Sequence, residues 1–259
     1  MNPSTRYTVK TALIVALGGF LMGFDASVIS GVVGFIEPEF SLSKIELGWS
    51  VASLTLTATL AMMVSGPLSD RLGRLPVLKI AAVLFTISAL VCAIAPSFAV
   101  LVAARMLGGF GVGAALIIAP MYIAEMAPPR LRGRMVSFNQ LNIVLGISAA
   151  FFSNYLILTL GKSDLAWAEA LRLGAWNWRW MLGVEALPAL FYFLALYAVP
   201  ESPRWLVMRG RVAEAREILA RVSGGEQADA DLKAMADSLQ SEAGQARASE
   251  ARARGRAGP

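Results

Sequence analysis

The run "TALIVALGGFLMGFDASVISGVVGFI", Thr11 to Ile36, contains a single charged residue, Asp25. A hydrophobic stretch of about 20 residues or more with few charges is long enough to cross a bilayer as a helix. The run is too long, and too lacking in a small-residue cleavage site, to be only a signal peptide. It therefore predicts a membrane-spanning helix with an acid inside it.

The same pattern recurs five more times, over residues 48–65, 76–95, 98–124, 135–160 and 176–199. The whole chain is 56% hydrophobic and 16% charged, whereas soluble domains carry about 25% charged residues. The sequence thus predicts an all-α, polytopic membrane protein. Its first domain, residues 1–199, is a bundle of six transmembrane helices in the lipid bilayer.

The net charge of +5 is concentrated at alternate links between these spans. Basic residues precede the first span and follow the second, fourth and sixth, and the opposite links hold fewer of them. By the positive-inside rule, this distribution predicts a multi-pass protein of the cell membrane with both termini cytoplasmic. Because the basic residues set topology in this way, nucleic-acid binding is not expected.

The composition changes after the sixth span. Ser202 and Pro203 form an N-cap and first-turn pair, and apolar residues then recur at helical spacing to Val222. Residues 200–222 are therefore predicted to form an amphipathic cytoplasmic segment, which Gly210 can divide in two. Residues 223–259 are small and polar and predict a disordered tail.

Catalytic chemistry has little support in the sequence. The chain has no histidine and one cysteine, Cys92, which lies inside the third span. We find no metal-ligand pattern, no nucleophile constellation and no cofactor motif. The glycines of "GGFGVG", residues 108–113, lie inside an apolar span, where close helix packing is a better interpretation than nucleotide binding. The chain is not expected to be an enzyme.

The link "GPLSDRLGRLP", Gly66 to Pro76, joins the second and third spans. One interpretation is a charged turn that only obeys the positive-inside rule. The other is a tight turn in which Gly66 admits a neighbouring helix, Gly73 permits the bend, and Asp70 accepts hydrogen bonds from a helix N-terminus. The residues alone do not favour either interpretation.

This link resembles the G-x-x-x-D-R-x-G-R motif of the major facilitator superfamily. The matching residues are Gly66, Asp70, Arg71, Gly73 and Arg74. "RMLGGFGVG" (105–113), "PMYIAEMAPPRLRGRMVSFNQLNIVLG" (120–146) and "PESPRWL" (200–206) are similar to motifs of its sugar porter branch, and "GFDASVISG" (23–31) is similar to the branch's first-helix pattern. These stretches follow one another in the family's order.

The resemblance implies the N-terminal bundle of a major facilitator fold, built as a 3+3 inverted repeat. Two departures from the family pattern stand out. Leu75 replaces a basic residue of the loop motif, and the chain has six spans where the family has about twelve in two halves. The family's second-half sugar-binding glutamines are absent from these residues.

Arg105 is a second charge inside an apolar span, and such residues usually face a cavity or a partner. At ~1.5 Å per residue, Arg105 and Asp25 lie ~6 Å apart in depth, within reach of an arginine side chain. A buried structural pair, or an arginine that extends outward, is the alternative. In proton-coupled sugar porters the matching aspartate and arginine are linked to proton binding, so the resemblance implies that role here.

Two residues are candidates for substrate contact through the resemblance. Gln140, in "SFNQ", matches a glutamine that contacts sugar in relatives, and its amide suits sugar hydroxyls. Met22 stands where some relatives have an aromatic contact. From the residues alone, Gln140 is better interpreted as a helix–helix hydrogen bonder.

A last group of charges lies at the cytoplasmic ends of the fourth to sixth spans. The resemblance implies that Glu125, Arg132, Glu201 and Arg204 belong to a network that holds one gate state. A solvated charged rim is the alternative, since single surface ion pairs contribute only about 0–1 kcal/mol.

Taken with the resemblance, these patterns predict transport of a monosaccharide or related polyol by alternating access, coupled to protons. The chain would supply the N-terminal half, with a C-terminal half bundle or a second copy as its partner. The alternative is a membrane protein that does not transport, either a remnant or a sugar sensor.

Overall fold

The computed structural model describes residues 3–128 and 130–256, with side chains for 4–128, 130–225 and 227–241. These residues form eleven α-helices and one short 3₁₀ turn. The helices are α1 (Pro3–Glu39), α2 (Lys44–Leu72), α3 (Arg74–Ala93), α4 (Phe98–Met126), α5 (Arg132–Gly161), α6 (Ala166–Ala170), α7 (Asn177–Gly183), α8 (Ala186–Ala195), α9 (Pro203–Met208), α10 (Val212–Ser223) and α11 (Gly225–Arg256), and the 3₁₀ turn Leu196–Ala198 follows α8.

Six helical segments are long and apolar enough to cross a membrane, which confirms the six predicted spans. Five are the single helices α1 to α5. The sixth is Asn177–Ala198, in which α7, α8 and the 3₁₀ turn run on with a short interruption at Val184 and Glu185.

The helices pair in a way that fits the inverted 3+3 repeat. The two most extensive contacts are α1 with α5 and α2 with α4. If the first three spans are exchanged with the last three, α1–α5 becomes α4–α2, so the repeat maps one large contact onto the other. Both contacts are close because glycine faces backbone: a Cβ at Gly23 would lie 2.1 Å from the carbonyl oxygen of Ile143, and one at Gly113 would lie 2.2 Å from that of Ala58.

Two ends of the bundle can be told apart. The end that holds Asp70, Arg74, Glu125 and Glu201 is called the motif end below. At the opposite end, Glu39 accepts hydrogen bonds from the Trp178 indole and from Arg179, which also donates to the Ala95 carbonyl. These bonds tie the end of α1, the α3–α4 link and the start of α7 together.

The segment after the sixth span is helical throughout most of its length. Gly210, with φ of 73°, separates α9 from α10, and α10 buries Ala215, Leu219 and Val222. Helix α11 covers 225–256, where the sequence predicted a disordered tail. Its alanine, glutamate, glutamine and arginine residues are good helix formers, and an Arg216–Asp229 ion pair joins it to α10. The tail residues 257–259 lie outside the described part of the chain.

Candidate functional site

Asp25 and Arg105 meet in the middle of the bundle. Arg105 Nη1 lies 3.5 Å from Asp25 Oδ1, and the two side chains are 1% and 5% exposed, respectively. Arg105 also donates through Nε to the backbone carbonyl of Ser50, at 3.0 Å. The arginine on α4 therefore contacts both α1 and α2, and it does not extend to the surface.

A third charged residue, Glu185, lies in the same region and was missed in the sequence. It is 3% exposed, it interacts electrostatically with both Asp25 and Arg105, and its Oε1 has no hydrogen-bond partner among the described residues. The signal that could have revealed it is the one that revealed Asp25: an acid inside a predicted span. We call Asp25, Arg105 and Glu185 the charge cluster.

Small residues make room for the charge cluster. A Cβ at Gly108 would lie 2.6 Å from Ser88 Oγ and 3.0 Å from Asp25 Oδ2. The Ser88 hydroxyl donates a hydrogen bond to the backbone carbonyl of Ala104, at 2.8 Å, and not to Asp25. The cluster also lies at the boundary of two apolar cores, since Leu21 and Val112 belong to one and Phe24 and Ala104 to the other. Its charges are thus held in an apolar setting.

Gln140 and Met22 lie near the α1–α5 contact. Gln140 is exposed on α5 and makes no hydrogen bond with the residues that the structure describes, while Met22 is half-buried against the core. The neighbouring Asn139 is buried, and its Oδ1 has no partner within the described residues. The amide of Gln140 is therefore available to a ligand, which differs from the helix–helix role that the residues alone favoured.

At the motif end, Arg74 is the centre of an ion-pair network. Its guanidinium donates to both carboxylate oxygens of Glu125, at 3.1 and 3.0 Å, and to Asp70 at 2.8 Å. Arg74 and Glu125 are 4% and 9% exposed. A two-point contact between an arginine and a carboxylate is strong and specific when it is buried in this way. This pair holds α3 against α4.

Glu201 caps the N-terminus of α3. Its carboxylate accepts hydrogen bonds from the backbone amides of Arg74 and Leu75, at 3.1 and 3.2 Å. The sequence suggested Asp70 for such a cap. Asp70, which lies on α2 four residues before Arg74, instead accepts a hydrogen bond from the Arg74 side chain. Burial raises the pKa of the Glu201 carboxyl, and its backbone hydrogen bonds oppose that rise. Ser202 then donates to Glu125, at 2.5 Å, which links the cap to the ion-pair network.

The two glycines of the loop motif have different settings. Gly73 has φ of 108° and ψ of 160°, a region that only glycine adopts readily, so it permits the bend between α2 and α3. Gly66 has open space around it, since a Cβ there would meet nothing within 4 Å. No helix within the described residues approaches Gly66, so the predicted contact with a neighbouring helix is not made inside this bundle.

Gly73→Ala should lower the free energy of unfolding by about 2 kcal/mol, because a non-glycine residue is strained at this backbone conformation. The added methyl would also lie 2.4 Å from Glu201 Oε2 and would displace the cap. Gly66→Ala is the matched control, and we expect no loss of stability from it. Thermal unfolding of the detergent-solubilised variants, followed by circular dichroism, measures both; equal melting temperatures would contradict the expectation.

Arg71, Arg132 and Arg204 lie around the same end. The backbone carbonyl of Arg71 accepts a hydrogen bond from Arg209. Arg132 and Arg204 line a cavity of about 690 Å³ between the ends of the bundle and α11, together with Asp231 and Met235. The structure thus places the predicted gate residues at one end, but it divides them between a buried pair, a helix cap and a cavity wall.

Comparison with known proteins agrees with this architecture. The family model described as "Sugar (and other) transporter" matches residues 11–254. The chain belongs to this sugar transporter family. The six-span fold with its 3+3 pairing is the N-terminal bundle of a major facilitator protein.

Three members of the sugar transporter family illustrate the relationship. The arabinose-proton symporter of Bacillus subtilis is 39% identical over 239 residues, 92% of this chain and 50% of its own length. The glucose transport protein of Synechocystis is 41% identical over 87% of this chain and 50% of its own length. A structure of the xylose transporter XylE from E. coli, partially occluded and inward open, superposes with a TM-score of 0.83 at 36% identity, covering 92% of this chain and 60% of that one.

The chain therefore spans about half the length of the curated family members that it matches. The family consists of transporters rather than enzymes, and the apolar helices make this chain a multi-pass membrane protein.

Proposed function

We propose that this chain supplies the N-terminal bundle of a proton-coupled transporter of a monosaccharide or related polyol. The observation that carries the proposal is the charge cluster: two carboxylates and one guanidinium, all buried within the bundle. The relatives' names point the same way, since they include an arabinose-proton symporter and a glucose transport protein.

The charge count of the cluster favours binding of one proton. With both carboxyls ionised, Asp25 and Glu185 carry two negative charges against the single positive charge of Arg105. An uncompensated charge in a low-dielectric interior is expensive. One added proton makes the cluster neutral, so we infer that Asp25 and Glu185 together hold one exchangeable proton, with Asp25 as the coupling acid and Arg105 modulating it.

Proton binding at Asp25 would change the contacts between helices. Arg105 joins α4 to α1 through Asp25 and to α2 through the Ser50 carbonyl. A neutral Asp25 attracts the guanidinium less, so the α1–α4 contact weakens while the α2–α4 contact stays. We infer that this unequal change links proton binding to rearrangement of the bundle, as alternating access requires.

Substrate would bind on the exposed side of α5. The amide of Gln140, which has no hydrogen-bond partner among the described residues, can donate to and accept from sugar hydroxyls, and Met22 on α1 is an apolar candidate for the same site. In a transporter of two bundles this side would face the second bundle. We propose either a C-terminal half bundle or a second copy of this chain as the partner.

The network at the motif end would act as a gate. Arg74, Glu125, Ser202 and Glu201 hold the ends of α3 and α4 against the segment before α9. Breaking this network would let α9 to α11 move away from the bundle. We propose that the motif end is cytoplasmic, as its basic residues indicate, and that the membrane is the cell membrane.

Reconstitution of the purified chain into proteoliposomes tests the proposed function. With an inside-alkaline pH gradient, labelled arabinose, xylose or glucose should accumulate in vesicles in which the chain is paired with its partner bundle, either a second copy or a co-reconstituted C-terminal half, and a protonophore should release it. Chemical cross-linking in the same vesicles reports the oligomeric state. A chain that moves none of these sugars and is monomeric would support the alternative, a remnant or a sensor; sugar binding without transport would separate the sensor from the remnant.

Gln140→Ala should weaken sugar binding by about fivefold to tenfold, the effect of losing one to two hydrogen bonds to hydroxyls. Titration of intrinsic tryptophan fluorescence with sugar measures the dissociation constant. Gln240→Ala, on the exposed face of α11, is the control and should leave it unchanged. Equal constants for the Gln140 variant and the parent would remove Gln140 from the substrate site.

A further inference from the structure

A lysine and a tyrosine meet on the outer surface of the bundle, close to the motif end. Lys79 on α3 places its Nζ 3.8 Å from the centre of the Tyr197 ring, in the 3₁₀ turn after α8. The ring of Phe193 packs edge-on against Tyr197, with centroids 5.4 Å apart. The aromatic pair thus supports the ring on which the lysine rests.

The surface around this pair is apolar and exposed. Tyr197 itself is 64% exposed. α3 packs against α8, and both helices present large apolar side chains outward: Ile80, Val83, Ile87 and Leu90 from α3, and Leu187, Leu190, Phe191 and Leu194 from α8. Such a surface on a membrane-spanning bundle suits contact with lipid acyl chains.

The depth of the pair matches the lipid headgroups. Lys79 lies five residues after the start of α3, or ~7.5 Å along the helix, and Tyr197 is next to the last residue of the sixth span. Tyrosine and lysine at this level are typical of the membrane–water interface, where the tyrosine ring stays in the apolar zone and the hydroxyl reaches the polar zone.

The charge of Lys79 has no counter-ion among the described residues of the bundle. Among the residues that the structure describes, Lys79 makes no ion pair and no hydrogen bond, and its one polar contact is the Tyr197 ring. A ring face compensates an ammonium only in part, and an unpaired cation at the edge of an apolar surface favours an anion. At the level of the lipid headgroups, the phosphates of anionic lipids are the anions nearest to this position.

We propose that Lys79 and Tyr197 bind the phosphate of an anionic phospholipid in the leaflet at the motif end. The ammonium and the tyrosine hydroxyl donate to the phosphate oxygens, and the acyl chains lie along the exposed surface of α3 and α8. The site is distinct from the charge cluster and does not depend on transport activity.

Native mass spectrometry of the full chain in detergent tests the proposal, with phosphatidylglycerol and phosphatidylcholine of the same acyl chains as probes. The parent chain should retain more phosphatidylglycerol than phosphatidylcholine. Lys79→Gln should reduce phosphatidylglycerol retention by about tenfold, the effect of losing one hydrogen bond to a charged group. Lys10→Gln is the matched control: Lys10 is exposed near the same end but has no ring contact among the described residues, so its loss should have no such effect.

Two further variants keep the result interpretable. Lys79→Arg retains the charge and should retain the lipid, while Tyr197→Leu retains the apolar surface and should bind phosphatidylglycerol more weakly than the parent chain. Equal retention of the two lipids by the parent, or unchanged retention in Lys79→Gln, would overturn the proposal. So would a dimer of the chain that excludes lipid from this surface, because a protein would then be its occupant.

Discussion

In the complete transporter, with the partner bundle present, Asp25→Asn is expected to abolish sugar accumulation driven by a pH gradient. One proton per sugar and a gradient of one pH unit allow about tenfold accumulation, since a unit corresponds to about 1.4 kcal/mol. Without a carboxyl at position 25, the charge cluster keeps one acid, Glu185, against one guanidinium. It is then neutral without a proton and has none to exchange, so the internal sugar concentration should only equal the external one.

Sugar exchange should survive the same substitution. Asparagine has nearly the shape of aspartate, so it fits the space that Gly108 leaves beside the carboxyl, and its amide oxygen can still accept from Arg105. Arg105 therefore keeps an acceptor on α1, as it does beside a protonated Asp25, while the exchangeable proton is lost. Counterflow, in which labelled sugar enters vesicles preloaded with unlabelled sugar at equal pH, measures exchange without a proton gradient.

Asp164→Asn is the control for the loss of an acid, because Asp164 is exposed in the link after α5. It should change neither accumulation nor counterflow. Accumulation by Asp25→Asn at the level of the parent chain would show that Asp25 does not carry the coupling proton. Loss of counterflow together with accumulation would show that the residue maintains the fold of the site rather than its protonation.

The spans and the Asp25–Arg105 contact could be predicted because both rest on strong, local signals. Long apolar runs have few alternatives to a membrane helix. A charge inside such a run needs a partner, and only a few charges lie at a suitable depth. The close packing predicted for "GGFGVG" is also confirmed: Gly109 and Gly113 lie against the backbone of α2.

Features that depend on three-dimensional proximity could not be predicted in this way. Glu201 caps α3 although 127 residues separate it from Arg74. Local spacing favours Asp70 as the capping residue, because Asp70 lies only four residues before Arg74. The space around Gly66 depends on where the neighbouring helices pass. The helix over 225–256 was missed because a polar composition was given more weight than the helix propensity of its residues.

Gly113→Leu is expected to lower the free energy of unfolding by about 3 kcal/mol or more, the upper range for overpacking. A Cβ at this position would lie 2.2 Å from the Ala58 carbonyl oxygen and 2.7 Å from the Ala61 Cβ. Neither obstacle is the flexible end of a side chain, so α2 and α4 must move apart. Because Arg105 on α4 reaches Ser50 on α2, their separation should also disturb the charge cluster.

Gly34→Leu separates this effect from the general consequence of removing a helical glycine. Gly34 is exposed on α1, and a Cβ there would meet nothing within 4 Å, so leucine should leave the melting temperature unchanged or raise it. Thermal unfolding in detergent compares the two variants with the parent chain. If Gly113→Leu had the same melting temperature as Gly34→Leu, the α2–α4 contact would be looser than its glycines indicate. Close packing of α2 and α4 would then not explain how Arg105 reaches Ser50.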